Sequence, residues 1–498
     1  MATECFPLRA GVTGRRDPCY PKACRRPDET ALDITPTPIA WIALLAWPAV
    51  VWVLYDRMGP GRALIWSVLG AYMFLPELLR LDLPMLPDFD KHTLPALAAA
   101  VISWRRLGRT LPVLTGSRLT TFLIGLFVIS PFVTVLGNTD PIVLRPGLEV
   151  PGLRAYDSLA TVAMQGLYVL PLFLARRDLA SPEALRDLLI ALLTGGLLYT
   201  LPLLIEAELS PQLHTWIYGY FQHDFAQALR FGGFRPFVFM PHGLWVAFFM
   251  LCCLMASVAL LRMGPAPRRP ALLLVFLLFC ALLVICKSFG PLAYALLALP
   301  LLFVATPRQQ VLIAAGLAAM VMLYPLLRGA HLVPVQSIVD FAARLSEERA
   351  LSFHFRLTNE DALLARAAER PLFGWGGYGR GFLFNIETGA HLTIADGAWI
   401  IQIGAYGWLG YLAEFGLLCL PLWLMAREAL VRGARIAPQA AALALMLAFN
   451  LVDLLPNATL TPLTWLIAGA VLGHAEALSA ARRAVPQAGA AAGRRTVI

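Results

Sequence analysis

Apolar stretches about as long as a lipid hydrocarbon core requires, roughly 17–25 residues, recur along the chain with short polar connections between them. They fall at Ile39–Tyr55, Ala63–Leu78, Leu94–Trp104, Leu119–Gly137, Ser158–Ala175, Leu188–Ile205 and Leu244–Leu261. Further ones lie at Ala271–Cys286, Phe289–Ala305, Val311–Leu327, Ala398–Met425, Gln439–Leu455 and Thr459–Gly473. The pattern predicts an all-α, polytopic transmembrane helical bundle of about 12–13 spans. The count is least secure among the first three, two of which are short for a full crossing. Residues 1–38 are polar, Pro-containing and without an apolar signal core, and read as a flexible tail. Residues 39–478 form the membrane domain, and 479–498 a C-terminal tail.

Composition agrees with this pattern and excludes other classes. The chain is 59% hydrophobic and 14% charged, against about 45–50% and about 25% in ordinary globular domains. Its net charge of +9 comes from arginines in short loops beside the spans, which is how topology is encoded. No basic patch with interleaved aromatics appears, so nucleic acid is not an expected partner. Of the eight cysteines, Cys252, Cys253, Cys280, Cys286 and Cys419 lie inside spans and read as packing residues. Cys5, Cys19 and Cys24 lack metal-site spacing. No metal and no cofactor is expected.

Arginine placement orients the spans. The clusters Arg105/Arg106/Arg109, Arg176/Arg177/Arg186, Arg262/Arg268/Arg269, Arg308, Arg427/Arg432/Arg435 and Arg482/Arg483 all share one side if the spans from Leu94 onward alternate. By the positive-inside bias that side is cytoplasmic and holds the C-terminus. Counting thirteen spans puts the N-terminal tail outside and Arg57 and Arg62 inside.

Two long segments remain outside, Glu206–Gly243 and Arg328–Asp396. Six of the eight histidines fall in them: His214, His223, His242, His331, His354 and His391. Long loops in compact proteins are usually functional, so the chemistry is expected there. Within the second loop, Thr358-Asn-Glu-Asp361 reads as an N-cap with acids in the first turn. It would open an amphipathic helix ending before Pro371 and lying on the membrane surface; a structural brace is the plainer alternative. The run Phe373 to Phe382 contains five glycines, suited to tight turns and close backbone approach. It is no Walker loop, since no Gly-Lys-Ser/Thr follows.

Arginines on the outer face are not explained by the inside bias. Arg230, Arg235 and Arg356 read as anion ligands, because a guanidinium offers a planar, permanently charged fork. Arg344, Arg349, Arg366 and Arg370 read instead as partners of nearby acids, among them Glu347, Glu348 and Glu369. Supporting candidates are His242, Arg380, Asp453 and Asn457; the last two lie near the outer end of a span, where they line a site or cap helix ends. Glu77 and Glu414 are further costly polar groups at or inside spans. Asp88-Phe-Asp90 is a bare carboxylate pair for which chance is the plainer reading.

Arg356, then Pro371-Leu-Phe-Gly-Trp-Gly376, then Gly407-Trp-Leu-Gly410 resembles the C-terminal signature of the O-antigen ligase and polymerase family. The segment Arg230-Phe-Gly-Gly-Phe-Arg-Pro-Phe-Val-Phe-Met-Pro-His-Gly243 is similar to that family's smaller outer-loop motif, and Lys287-Ser288 to a recurrent Ser-Arg. The resemblance covers roughly Arg230 to Leu417. It implies a membrane glycosyltransferase of GT-C type in the bacterial inner membrane, with its site on the periplasmic face. The implied donor is a glycan on undecaprenyl diphosphate, and the acceptor a sugar hydroxyl on a glycan or lipid anchor. Arg356 matches the family's second-loop arginine, and either Arg230 or Arg235 the first-loop one. Where the family shows a histidine before the Gly-x-x-Gly span, this chain has Asp396, with His391 five residues earlier. Either is a candidate general base, and Asp396 is equally a candidate N-cap. Ligase and polymerase differ in acceptor, which the sequence does not distinguish. The rival classes are a transporter or flippase of lipid-linked glycans, which would call for inverted repeats and broken helices, and a scaffold, which leaves the outer arginines unexplained.

Overall fold

A computed structural model describes residues 35–492 apart from 84–85, 114–116, 146–147, 346, 386 and 432–434. The helices in chain order are α1 (Pro38–Arg57), α2 (Pro60–Phe74), α3 (Leu94–Leu107), α4 (Arg118–Leu136), α5 (Ala155–Asp178), α6 (Pro182–Leu209), α7 (Leu213–Tyr218) and α8 (Gly243–Met263). They continue with α9 (Arg269–Ile285), α10 (Phe289–Val304), α11 (Pro307–Gly329), α12 (Val335–Leu345), α13 (Glu347–Ala368), α14 (Ala398–Leu430), α15 (Pro438–Asp453) and α16 (Pro462–Ala492). Two small antiparallel hairpins accompany them, β1 (Ile142–Arg145) with β2 (Leu148–Val150) and β3 (Leu229–Arg230) with β4 (Gly233–Phe234). The protein is a polytopic all-α bundle. Local chemistry starts the helices as expected: Thr37, Ser117, Ser181 and Thr306 cap with their side chains, and proline sits in the first turn of α1, α2, α3, α6, α11 and α15.

Among the described residues, nine helices are long and apolar enough to cross a membrane, and α10 and α15 are shorter apolar ones. Helices α2 and α3 have 15 and 14 residues, about 21–23 Å at 1.5 Å per residue. Both still run from one end of the bundle to the other. Gly61 of α2 lies against the Asp178 carbonyl while Glu77 beyond its far end meets His214; Lys91 before α3 meets Phe239 while Arg106 at its end pairs with Asp56.

Burial separates centre from periphery: 83% of the apolar stretch of α8 is enclosed by protein, against 17% of Ala266–Ile285. Small residues permit the closest approaches. A Cβ on Gly469 or Gly473 would come within 2.2 and 2.3 Å of the Leu172 and Arg176 carbonyl oxygens. The Gly-x-x-x-Gly face of α16 therefore lets its backbone touch that of α5.

The arginine clusters gather at one end, held by acids of the same end. Arg106–Asp56 (2.7 Å), Arg109–Asp178 (2.9 Å), Arg62–Asp187 (2.8 Å), Arg176–Glu476 (2.7 Å) and Arg482–Glu428 (3.0 Å) form this belt. The start of α1 is at the opposite end, where the Thr37 amide donates to Tyr218 O at 2.9 Å and its hydroxyl to Ile217 O at 2.8 Å. Both long loops, α7, α12, α13 and the two hairpins belong to that opposite end, so the thirteen apolar segments alternate through the bundle.

Four local expectations are corrected. The helix expected to start at Thr358 starts at Glu347, and the Thr358 hydroxyl bonds back to His354 O at 2.9 Å inside it. The span Ala398–Met425 is not one continuous helix: Gly407 has φ 63 and ψ −163 within α14. The residue at the N-cap of α14 is Gly397, without a side-chain bond, so Asp396 does not cap it. Finally, the C-terminal tail expected from 479 continues α16 as helix to Ala492. Cys252, Cys253, Cys280, Cys286 and Cys419 are free thiols. Cys5, Cys19, Cys24 and Arg432, with the side chains of Glu347, Glu348 and Arg349, lie outside the described residues.

Candidate functional site

The first loop is shaped by a buried carboxylate. Glu206, 1% exposed on the last turns of α6, accepts from the amides of Leu213 (3.1 Å), Phe237 (2.8 Å) and Val238 (2.6 Å). Gln222 donates to Val238 O and Met240 O at 3.0 Å, and Lys91 donates to Phe239 O at 2.7 Å. These bonds hold Val238 at φ 53, a region non-glycine residues seldom adopt. Lys91 is itself fixed by Glu77 at 3.1 Å, which also meets His92 at 3.2 Å. These bonds tie the loop's backbone to the end of α6 and to the segment before α3, forming a cradle.

The cradle presents Arg235 and His242. Arg235 is 2% exposed and donates to Ser288 Oγ. Its stem crosses the bare Cα of Gly243, where a Cβ would come within 2.6 Å of Nε. Arg230 extends, exposed, from the β3–β4 hairpin, whose turn residues Phe231 and Gly232 have φ 48 and 67, the two-residue turn with positive φ at both centres. His242 is 1% exposed, and its Nδ1 accepts from the Leu244 amide at 3.1 Å. Burial, then the charges of Arg235, His223, Arg230 and Arg356, hold its imidazole well below the ordinary pKa. Because Nδ1 accepts from Leu244, a neutral ring carries its proton on Nε2 and is a hydrogen-bond donor there.

The second loop is anchored by the glycine-rich run, which docks into the break of α14. The amides of Trp375 and Gly376 donate to the Gly404 and Ala405 carbonyls at 2.9 and 2.8 Å. The amides of Trp408 and Leu409 donate to Pro371 O and Leu372 O at 2.8 and 3.2 Å. Backbone groups freed by the break are thereby satisfied within the protein, the condition for irregular backbone at membrane depth. Thr134 and Asn138 at the end of α4 bond Phe373 O (2.6 Å) and Gly374 O (3.0 Å), and Arg366 and Arg370 lie over the Trp375 ring at 3.4 and 4.4 Å. Arg366 pairs with Glu369 as expected, at 2.6 Å, whereas Arg370 is bonded to Gly137 O and Asn138 instead of an acid.

This anchoring places Arg356 of α13. Its Nε meets Asp396 at 3.1 Å, and its Nη1 donates to Pro456 O at 3.2 Å and Asn457 Oδ1 at 3.3 Å. Asn457 donates in turn to Asp453 at 3.0 Å, and Asp453 accepts from Thr459 at 2.6 Å. Four of the candidates, Arg356, Asp396, Asn457 and Asp453, therefore form one chain of contacts. Burial raises the Asp396 carboxyl above its ordinary value, with Arg356 pulling the other way.

Two candidates sit elsewhere. Arg380, 1% exposed, spends Nε, Nη1 and Nη2 on the carbonyls of Trp375, Pro151 and Asp140, and so ties the glycine run to the β1–β2 segment. His391 packs between Phe382 and Phe384, with ring centroids 5.2 and 4.6 Å away. Asp90 caps its own turn through Thr93 and the His92 amide, and Asp88 lies 3.7 Å from Arg80. Among the described residues no group of three or more His, Cys, Asp or Glu could hold a metal ion. Glu206 and Thr459 were not singled out by sequence as site residues. The signal for Glu206 was an acid at the mouth of an apolar span, where an ionisable group is costly unless it is used.

The first loop thus presents Arg230, Arg235 and His242, and the second presents Arg356 against the partly buried Asp396 carboxylate. No protein-family model matches this chain, and no curated protein matches it.

Proposed function

We propose that this protein is a membrane glycosyltransferase of O-antigen ligase or polymerase type. It moves a glycan from an undecaprenyl-diphosphate carrier to an acceptor hydroxyl at the outer face of the bacterial inner membrane. The observation that carries this reading is the fixing of Arg235 on Ser288 and against the bare Cα of Gly243, next to His242, together with Arg356 ion-paired to Asp396 at 3.1 Å. A diphosphate leaving group needs charge placed around it, and the acceptor needs orientation and a base. In the proposed reaction the acceptor oxygen attacks the anomeric carbon and its proton passes to Asp396. The bond from that carbon to the phosphate oxygen breaks, and the diphosphate departs with the electron pair, held by the arginines and by the Nε2 proton of His242.

Asp396 is preferred to His391 as base because it is held by an ion pair at the mouth of α14, while His391 packs against two phenylalanines. Asp396→Asn is expected to lower transfer at least about hundredfold, the lower range for a positioned general base, with melting temperature and protein level unchanged. His391→Gln should remain active. The opposite pattern would move the base to His391, and two active variants would remove both from the chemistry. Activity of the unmodified protein should fall as pH drops through a value above the usual aspartate range, because the base works only when ionised.

Broken helices also occur in transporters, where the broken ends line a binding site. Here the broken ends at Gly407 are filled by Pro371–Gly376, which favours the transferase over a flippase of lipid-linked glycans. In cells, a deletion strain complemented with Asp396→Asn should lack long glycan chains or their attachment to the lipid anchor. The first outcome identifies a polymerase and the second a ligase; a normal glycan profile contradicts transfer through Asp396.

Orientation is testable separately. Single cysteines beside Arg268 and Arg482 should be protected from impermeant thiol reagents in intact cells, and one at Gly377 labelled. Labelling of all three, or of the arginine-side sites alone, would overturn the assignment of the arginine end to the cytoplasm.

A further inference from the structure

Helix α5 carries polar residues where a spanning helix should be apolar. Asp157, Thr161, Gln165 and Tyr168 follow one another at helical spacing and share one face. The opposite face holds Leu159, Ala163 and Gly166, all exposed and suited to lipid. Both ends of the polar face meet protein. Tyr378 donates to Asp157 Oδ1 at 3.0 Å, and the Tyr168 ring lies 6.5 Å from that of His92. The polar face therefore looks into the bundle.

It is nevertheless not covered. All four residues are only half-buried, and the cause is the shortness of α3. Arg177 donates to Ser103 Oγ at 2.6 Å, which sets α5 and α3 level at the arginine end. From there α3 reaches only to the level of Tyr168, while α5 runs on to Ala155, about 20 Å further at 1.5 Å per residue. The close glycine contacts of α16 also fall on the half nearer the arginine end, at Leu172 and Arg176. Gln165 Oε1 is buried without a hydrogen-bond partner among the described residues. Polar groups in a span are costly and face a polar interior where they occur, and an orphaned buried acceptor points to a partner that is not protein.

The chemistry of this face selects its occupant. Along α5 it offers a carboxylate, a hydroxyl, an amide and a phenol, and no cation. A second carboxylate, Asp90, accepts from the His92 amide at 2.9 Å beside the Tyr168 end. Such a surface repels a diphosphate and matches hydroxyl groups, which both donate and accept. A tyrosine at each end adds an apolar ring with a polar tip, as a sugar ring requires. Tyr378 is held at φ 60, a costly conformation of the kind that gathers at ligand sites.

We propose that this face of α5 is the subsite for the acceptor glycan, a hydroxyl-rich chain lying between Tyr378 and Tyr168 along about 16 Å of helix. This rests on the transferase reading above and adds to it the place of the second substrate. Asp157, Thr161 and Gln165 bond the hydroxyls, and the two tyrosine rings pack against sugar rings.

The test is titration calorimetry on the purified full-length protein in detergent, with two probes. One is the soluble oligosaccharide released by mild acid from the glycolipids of the producing cells; the other is inorganic pyrophosphate. Wild type, Gln165→Leu, Thr161→Val, Tyr168→Leu and, on the lipid face, Ala163→Leu are compared, each with its melting temperature. Leucine and valine suit a membrane helix, so the variants should fold. Loss of one neutral hydrogen bond should weaken oligosaccharide binding about 3–10-fold in Gln165→Leu and in Thr161→Val. Tyr168→Leu should lose more. Pyrophosphate binding should be unchanged in all of them, and Ala163→Leu should bind both probes as wild type does. Oligosaccharide binding unaltered in the three polar-face variants overturns the inference, as does a wild type that binds pyrophosphate but no oligosaccharide. Either result leaves the diphosphate reading standing. Weakened pyrophosphate binding in the polar-face variants overturns the inference too, because it places the donor there. A wild type that binds neither probe overturns both readings.

Discussion

Replacing Arg356 with alanine is expected to lower the transfer rate about 10²–10³-fold, the range measured for removal of one preorganised charge-stabilising donor. The side chain works through two edges at once: Nε on Asp396 and Nη1 on Pro456 O and Asn457. Alanine removes a cation from the leaving group and leaves Asp396, 18% exposed, without its partner. Lysine restores the charge but cannot satisfy both edges from one ammonium, so Arg356→Lys should recover less than a tenth of the activity. Arg356 is itself 33% exposed, and both variants should accumulate as folded protein. Rates and melting temperatures of purified variants check this. Wild-type turnover in the lysine variant would reduce Arg356 to a source of charge, and in the alanine variant would remove it from the site.

Gly407→Ala is expected to have the largest effect on stability. The glycine has φ 63 and ψ −163, a region in which a side chain costs about 1–3 kcal/mol. A Cβ there would also lie 2.4 Å from the Leu372 carbonyl carbon and 2.5 Å from Phe373 N. Backbone cannot yield as a flexible side chain does, so the insert Pro371–Gly376 must leave the break. Its four backbone bonds would go with it, and the placement of Arg356 and Asp396 relative to each other would be lost. The variant should show a clearly lowered melting temperature and almost no transfer. Gly404→Ala, one turn earlier, meets no atom within 4 Å and should behave as wild type. Equal behaviour of the two variants would mean that the break does not hold the site.

The bundle was legible because hydrocarbon thickness imposes a length on every span, and each predicted apolar run became a helix. Even the short α2 and α3 were marked, by apolar runs ending near Arg57–Arg62 and Arg105–Arg109. The break at Gly407 was not legible. In sequence it lies within an unbroken apolar run, and a lone glycine in such a run reads equally well as helix. Only the docking of Pro371–Gly376, set by tertiary contacts, makes the interruption favourable. The start of α13 was misplaced for a similar reason, because Thr358 and the acids after it imitate a cap while the helix already runs through them.

At the site, the sequence identified the residue types that stand out chemically. Arg235, Arg356, His242, Asp396, Asp453 and Asn457 are polar groups at the ends of spans, and the fold links Arg356 directly to Asp396 and Asn457, and through Asn457 to Asp453. Arg380 looked the same in sequence but is consumed by three carbonyls. A guanidinium that binds backbone cannot be told from one that binds phosphate without its neighbours. Glu206 was missed because its role is to organise amides 31 and 32 residues away, a long-range relation that no local spacing records.

The most direct test uses the purified protein in proteoliposomes, with an undecaprenyl-diphosphate-linked glycan and an acceptor glycan or lipid-anchored acceptor. The products are followed by mass spectrometry, with Arg356→Ala and Asp396→Asn as controls. The account predicts release of undecaprenyl diphosphate matched mole for mole by a longer acceptor, and loss of both products in the two variants. Donor that crosses the bilayer chemically unchanged, with no elongated acceptor, would contradict it.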